Sequence, residues 1–374
     1  MINRSLLSGV LFFIVNFALA YQKELFETLR FKPSDITKET ILKLHNELND
    51  EFYSRNNRES IVQLVYVTPW NNHGYTLAEK TVHKLTHISP VWFQAKPDFQ
   101  NKELIGCTIE GSHDIDRDWI ERLRNKNPKI KIVPRILFDG WGRDEINYLF
   151  VNTQSASNCI KAIINFFKRN EFDGGVVEMY MQSLIALQSL EEKELVIETV
   201  TALSVSMKKA GLQSILTVPA PLEYNHQPNN LISPEEYKKL IDASDFVQIM
   251  TYDYRGQTPK GVAPLDWFED CLYYLRGGGS KTMLGLNFYG YEFSSRKLNS
   301  ILADRFLKQL ENTQSVLEFD QSSMEHRLQT KSSIIYFPSL TSLELRLNMA
   351  HRYGAAIAIW EYGQGLDYFT NLLV

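Results

Sequence analysis

From residue 61 onwards the chain alternates short apolar runs with longer segments of helical period. The apolar runs cover 61–68, 85–93, 130–138, 174–180, 214–219, 246–252, 282–288 and 355–360. Each is apolar at successive positions, the pattern of strands covered on both faces. Between them, Ile160, Ile163, Ile164 and Phe167 recur at helical spacing, and Val196, Val200, Leu203 and Met207 form a second such stripe. Ser233-Pro234-Glu235-Glu236 predicts a helix start, with Ser as N-cap, Pro in the first turn and Glu reaching back. Eight strand–helix alternations predict an α/β fold of the (β/α)8 TIM-barrel type. A doubly wound open sheet is the alternative. It would carry a glycine-rich turn after the first strand, where this chain has Val67-Thr68-Pro69-Trp70.

One spacing departs from the rhythm. About 65 residues separate the seventh and eighth runs; within them, 332–337 reads as a strand and 342–353 as a helix. This predicts a small α+β insertion between strands seven and eight, at about 291–340, within a domain spanning 61–374. Residues 1–20 have the pattern of a signal peptide: Arg4, an apolar core, then Ala18-Leu19-Ala20. An uncleaved anchor is the alternative. The run is short for a membrane span, and no other stretch is long and apolar enough for one. Residues 21–60 are polar with helical spacing and predict a segment packed outside the barrel, or else a flexible pro-segment.

Composition narrows the function classes. The 374 residues carry a net charge of −4, and no basic stripe points to nucleic acid. Cys107, Cys159 and Cys271 are too few and too far apart to frame a disulfide scaffold. One pair can bridge, or each can be a buried thiol. No glycosylation sequon follows residue 20, and no motif calls for a cofactor or a metal.

Chemistry in such a barrel belongs at the C-terminal strand ends. Those ends are aromatic and polar: Tyr66 and Trp70, Asp139 and Trp141, Glu178 and Tyr180, Met250, Tyr252 and Asp253, Tyr289, and Trp360. Aromatic faces beside acids and amides suit a sugar, although any one ring also fits barrel packing. In 174–180, strand alternation places Gly174, Val176, Glu178 and Tyr180 on one face.

The run Asp173-Gly174-Gly175-Val176-Val177-Glu178-Met179-Tyr180 resembles the signature strand of glycoside hydrolase family 18, Asp-Gly-x-Asp-x-Asp-x-Glu. Met250-Thr251-Tyr252-Asp253, Gly285-Leu286-Asn287-Phe288-Tyr289-Gly290 and Trp360 resemble its sixth-, seventh- and eighth-strand motifs. The resemblance implies a barrel with that α+β insertion and a site for N-acetylglucosamine polymers. It also implies that the inward acids are replaced by Val176, Glu178 and Tyr180, with a tyrosine at the general-acid position. A phenol of pKa about 10 is a poor acid for a leaving alkoxide. The expectation is therefore a carbohydrate-binding lectin without hydrolysis. A glycosidase using Glu178 or Asp253 and a protein-interaction scaffold are the alternatives. The implied partners are an oligosaccharide or glycoconjugate and a sorting or scavenger receptor, in a secreted or lysosomal setting.

Overall fold

The computed structural model of the chain describes residues 26–49, 61–256, 258–277, 279–295 and 297–373. The signal-peptide pattern and its cleavage site lie outside these residues. The strands are β1 (Gln63–Val67), β2 (His87–Pro90), β3 (Phe93–Gln100), β4 (Glu103–Glu110), β5 (Lys131–Ile132), β6 (Arg135–Phe138), β7 (Gly174–Glu178) and β8 (Gln213–Pro219). They continue with β9 (Phe246–Met250), β10 (Thr282–Asn287), β11 (Gly290–Ser294), β12 (Leu298–Ile301), β13 (Val316–Asp320), β14 (Glu325–Gln329), β15 (Ser333–Tyr336) and β16 (Ala356–Trp360).

Parallel pairing runs β6-β7-β8-β9-β10-β16-β1-β2. The sheet closes because β2 pairs with β5 while β3, its continuation, pairs with β6, the continuation of β5. The result is the predicted (β/α)8 barrel, and all eight apolar runs supply its staves. Two of them are interrupted, at Val91-Trp92 and at Val133-Pro134. Proline cannot donate to a ladder, which accounts for the second break.

Each stave buries both faces, as its unbroken apolar pattern requires. Leu64, Val133, Val176, Ile215, Met283 and Ala358 fill the barrel interior. Val65, Val177, Leu216, Val247, Leu284 and Ile359 pack outward against the helices. The helices start where the sequence marks them. Ser233 accepts from Glu236 N at 3.2 Å, and the Glu236 carboxylate accepts from Ser233 N at 2.7 Å. In the helix Thr153–Arg169 the buried face includes Cys159, Ile163, Phe166 and Phe167. Gly175 must lack a side chain because a Cβ would lie 2.3 Å from the Phe167 ring.

The insertion is an antiparallel sheet of order β12-β11-β15-β14-β13 with the helix Ala303–Leu310. A hairpin of β3 and β4, not anticipated from the sequence, extends the barrel sheet. The disulfide Cys107–Cys159 ties it to the helix Thr153–Arg169; Cys271 is a buried thiol. Residues 26–49 lie along the insertion and the C-terminal stretch. Glu344 accepts from the backbone N–H groups of Arg30 and Phe31, and Lys38 Nζ donates to Ser315 Oγ at 2.9 Å. No helix among the described residues is long and apolar enough to cross a membrane.

Candidate functional site

The inward face of the staves ends in a polar cluster. β7 delivers Glu178, and β6 delivers Arg135 opposite it, with Nε 2.5 Å from the carboxylate. The Arg135 guanidinium sits 5.7 Å from the Trp360 ring centroid, within cation–π range. Tyr66, at the end of β1, packs against Trp360 with centroids 5.1 Å apart and donates its hydroxyl to Gln248 Oε1. The Gln248 amide reaches the Tyr252 hydroxyl at 3.4 Å. Sequence reading missed Arg135 and Gln248 because each stands in a strand whose neighbours are apolar.

Beyond this floor, β9 runs into Tyr252 and Asp253. Asp253 adopts a left-handed backbone, φ 63°, a conformation that aspartate tolerates better than most residues. Its carboxylate accepts from the hydroxyls of both Tyr289 and Tyr291. Tyr291, contributed by the first strand of the insertion, is a second partner that the sequence reading did not find.

The phenols here are held neutral. Burial raises the Tyr66 hydroxyl well above its usual pKa, and the Glu178 carboxylate adds to this. Burial and the Asp253 carboxylate do the same for Tyr289 and Tyr291. Burial likewise raises Tyr252. Such groups donate and accept hydrogen bonds but give up no proton near neutrality.

Two connected depressions open above these residues. One, of 440 Å³, is lined by Asp253, Arg255, Tyr289, Tyr291 and Trp360 together with Gln364 and insertion residues. The other, of 310 Å³, is lined by Met250, Tyr252 and Trp267 and shares Asp253 and Arg255 with the first. Six of the residues singled out in the sequence therefore gather at one mouth: Tyr66, Glu178, Tyr252, Asp253, Tyr289 and Trp360. Met250 joins them at the rim.

The other four do not. Tyr180 is a correction. β7 ends at Glu178, Met179 turns to helical backbone, and Tyr180 opens the helix Tyr180–Leu187. The change of period swings its ring into the outer core, 1% exposed, where its hydroxyl donates to Leu231 O at 2.7 Å. Trp141 is a second correction. It is buried, stacks on Phe138 at 5.9 Å and donates Nε1–H to Ala95 O at 2.8 Å. Asp139 is exposed and paired with Lys96. Trp70 is 71% exposed beyond β1 and lines neither depression.

Residues 62–365 match the family model of glycosyl hydrolases family 18. Among curated proteins, an uncharacterized glycosylase, YvbX, of Bacillus subtilis is 29% identical over 24% of this chain and 27% of its own length. A cortical fragment-lytic enzyme of Bacillus anthracis is 22% identical over 43% of this chain and 41% of its own. The chain thus spans less than half the length of these relatives. Among solved structures, a chitinase from Chromobacterium violaceum superposes with TM-score 0.70 at 19% identity, over 84% of this chain and 98% of that one. The spore cortex-lytic enzyme SleL of Bacillus megaterium gives 0.67 at 15%, over 85% and 74%. A Cycas revoluta chitinase, solved in complex with (GlcNAc)4, gives 0.66 at 15%, over 83% and 98%. These structural likenesses carry the fold. With the family model matched over more than half of its length, and the barrel, insertion and mouth already described, the chain belongs to glycosyl hydrolases family 18.

Proposed function

We propose that this protein binds oligosaccharides in the barrel mouth without hydrolysing them. The observation that carries the reading is the state of β7. Val176 is packed in the barrel interior, Glu178 is engaged by Arg135, and Tyr180 has left the inward face altogether. Hydrolysis needs a proton donor beside the glycosidic oxygen. The phenols at the mouth are raised out of that role, and Glu178 is tied to a guanidinium at 2.5 Å. Glu361, whose carboxyl burial pushes up to about 7, has no exposed surface for a sugar to reach.

What remains suits binding. Trp360 offers a ring, Asp253 a fixed acceptor, and Arg255 and Gln364 donors at the edge. The Cycas revoluta relative holds a tetramer of N-acetylglucosamine, which makes chitooligosaccharides the first ligands to try. Phrases such as Ile359-Trp360-Glu361 and Gly363-Gln364-Gly365-Leu366-Asp367 resemble chitinase domain-containing protein 1, a chitinase-like branch that interacts with a scavenger receptor. A secretory or lysosomal location follows from that resemblance. The Cys107–Cys159 disulfide supports it, since disulfides persist in oxidising compartments.

Labelled chitotetraose incubated with the protein should remain intact, while calorimetry detects binding that Trp360→Ala weakens by about 1–3 kcal/mol, the worth of a buried aromatic contact. Release of shorter products, abolished by Glu178→Gln or Asp253→Asn, would overturn the reading in favour of a glycosidase.

A further inference from the structure

A groove of 660 Å³ runs along the outside of the barrel and is larger than either depression at the mouth. We propose that it is a second ligand site, for a ring-bearing molecule that carries one carboxylate. The site stands apart from the carbohydrate reading above. It shares only Leu222 with the mouth and none of the residues which that reading uses.

The walls come from three places. The helix Leu265–Tyr274 and the turn that ends it supply Asp270, Tyr273, Tyr274 and Arg276. The loop after β8 supplies His226, and Tyr353 closes the helix Leu340–Arg352. Hydrogen bonds fix these stretches in place. Trp267 Nε1 donates to Leu222 O at 3.2 Å, Glu223 N donates to Gln227 O at 2.8 Å, and the His226 ring meets Asp270 at 2.6 Å, so the loop is tied to the helix. At the other end Tyr353 donates its hydroxyl to Glu269 at 3.0 Å, and Gly277 N donates to Leu272 O at 2.9 Å. Walls set in advance lower the ordering cost of binding.

Two features define what fits. The first is aromatic. Tyr273 is 78% exposed, with Tyr274 and Tyr353 half-buried beside it in the lining. An exposed ring offers a stacking face to a flat or ring-shaped molecule. The second is charge. Asp270 is held by His226, Glu269 by Tyr353 and Arg352, and Asp266 by Lys260. Arg276 is exposed and has no acidic partner among the described residues. It leaves a guanidinium fork at the edge of the groove, a shape that receives a carboxylate through two parallel hydrogen bonds. The volume falls within the roughly 300–1,000 Å³ of small-ligand sites, which are mostly apolar with a few polar groups that fix orientation.

The test is ligand-observed NMR titration of the whole chain with two matched pairs of probes. One pair is phenylacetate and phenylacetamide; the other is methyl β-glucuronide and methyl β-glucoside. At least one acid should bind about threefold to fivefold more tightly than its neutral counterpart. A preference for phenylacetate alone would identify a small aromatic acid as the source, and one for the glucuronide alone an acidic glycan. Arg276→Gln should erase the preference, and Tyr273→Ala should weaken binding about threefold. Both are exposed changes, and melts matching wild type confirm that the variants fold. Absence of binding by either acid overturns the inference, as does equal affinity for charged and neutral probes. So does a preference that survives Arg276→Gln, or binding indifferent to Tyr273→Ala. A preference lost in Trp360→Ala and kept in Arg276→Gln would seat the acid at the mouth and likewise overturn it.

Discussion

Glu361 is the most perturbed carboxyl near the mouth, and its neighbours explain why. It lies just past the end of β16, fully buried against Asn71 and Gly74. One carboxylate oxygen accepts from Asn71 Nδ2 at 2.7 Å; the other has no hydrogen-bond partner among the described residues. Burial therefore pushes its carboxyl up to about 7. A carboxyl raised on folding binds more protons in the folded state. Its contribution is most favourable at low pH and declines as pH rises towards and through about 7. His87 and His326 act in the opposite sense. Burial lowers each to about 4, so each removes stability as pH falls below the ordinary histidine range. The difference between wild type and Glu361→Gln isolates the carboxyl from these histidines. The substitution should stabilise by about 2–3 kcal/mol at pH 8, and by progressively less as pH is lowered towards 4. Paired thermal melts across that range check it; a difference flat with pH would show that the carboxyl is not displaced. Tyr180 carries a separate lesson at this scale. Its residue type was legible in the sequence but its direction was not, because one helical residue, Met179, resets which face follows.

Among the elements, the β3–β4 hairpin stands apart. Strand alternation in 94–110 is broken by Lys96, Pro97 and Asp98, and its apolar content is low. Only the beginning of β3 reads as a strand on that evidence. Tertiary contacts supply the rest. Ser155 Oγ donates to Leu104 O at 2.8 Å, Asn158 Nδ2 to Ile105 O at 2.8 Å, and Cys159 bridges to Cys107. The bridge closes a loop with a sequence separation of 52, long enough for a substantial entropic effect on the unfolded chain. The double variant Cys107→Ser, Cys159→Ser should lose about 2–4 kcal/mol of stability, measured by denaturant unfolding. A midpoint and slope unchanged from wild type would mean that the hydrogen bonds alone hold the hairpin. The barrel staves behave differently. Except for the second, which runs on through β3 to Gln100, their ends were legible to within two residues because burial on both faces leaves a continuous apolar run that stops where the chain meets solvent.

For the whole molecule, the joint between barrel and insertion is decisive, since Tyr291 and the groove wall come from the insertion. Glu325 of β14 accepts from the backbone N–H groups of Val262 and Ala263 at 3.1 and 2.9 Å and from Arg346 Nη2 at 3.0 Å. Arg346, in the helix Leu340–Arg352, also donates to Ser342 O and Ala263 O. Glu325 and Arg346 are both buried, and one partner left without the other is costly. Arg346→Met should destabilise by about 3–5 kcal/mol and should lower the melting of insertion and barrel together. Two separated transitions in calorimetry would show that the insertion folds on its own. The sequence by itself determined the eight staves, the insertion, the capped helices and the residue types at the strand ends. These depend on local burial pattern and cap chemistry, which a linear code records. Only the tertiary structure decided that Glu178 meets Arg135, that Tyr289 and Tyr291 converge on Asp253, that Tyr180 and Trp141 belong to the core, and that the N-terminal segment meets the stretch after β16, where Tyr368 N donates to His45 O. Each of those depends on closure of the sheet and on contacts between residues far apart in the chain, where a single turn of backbone changes which neighbours meet.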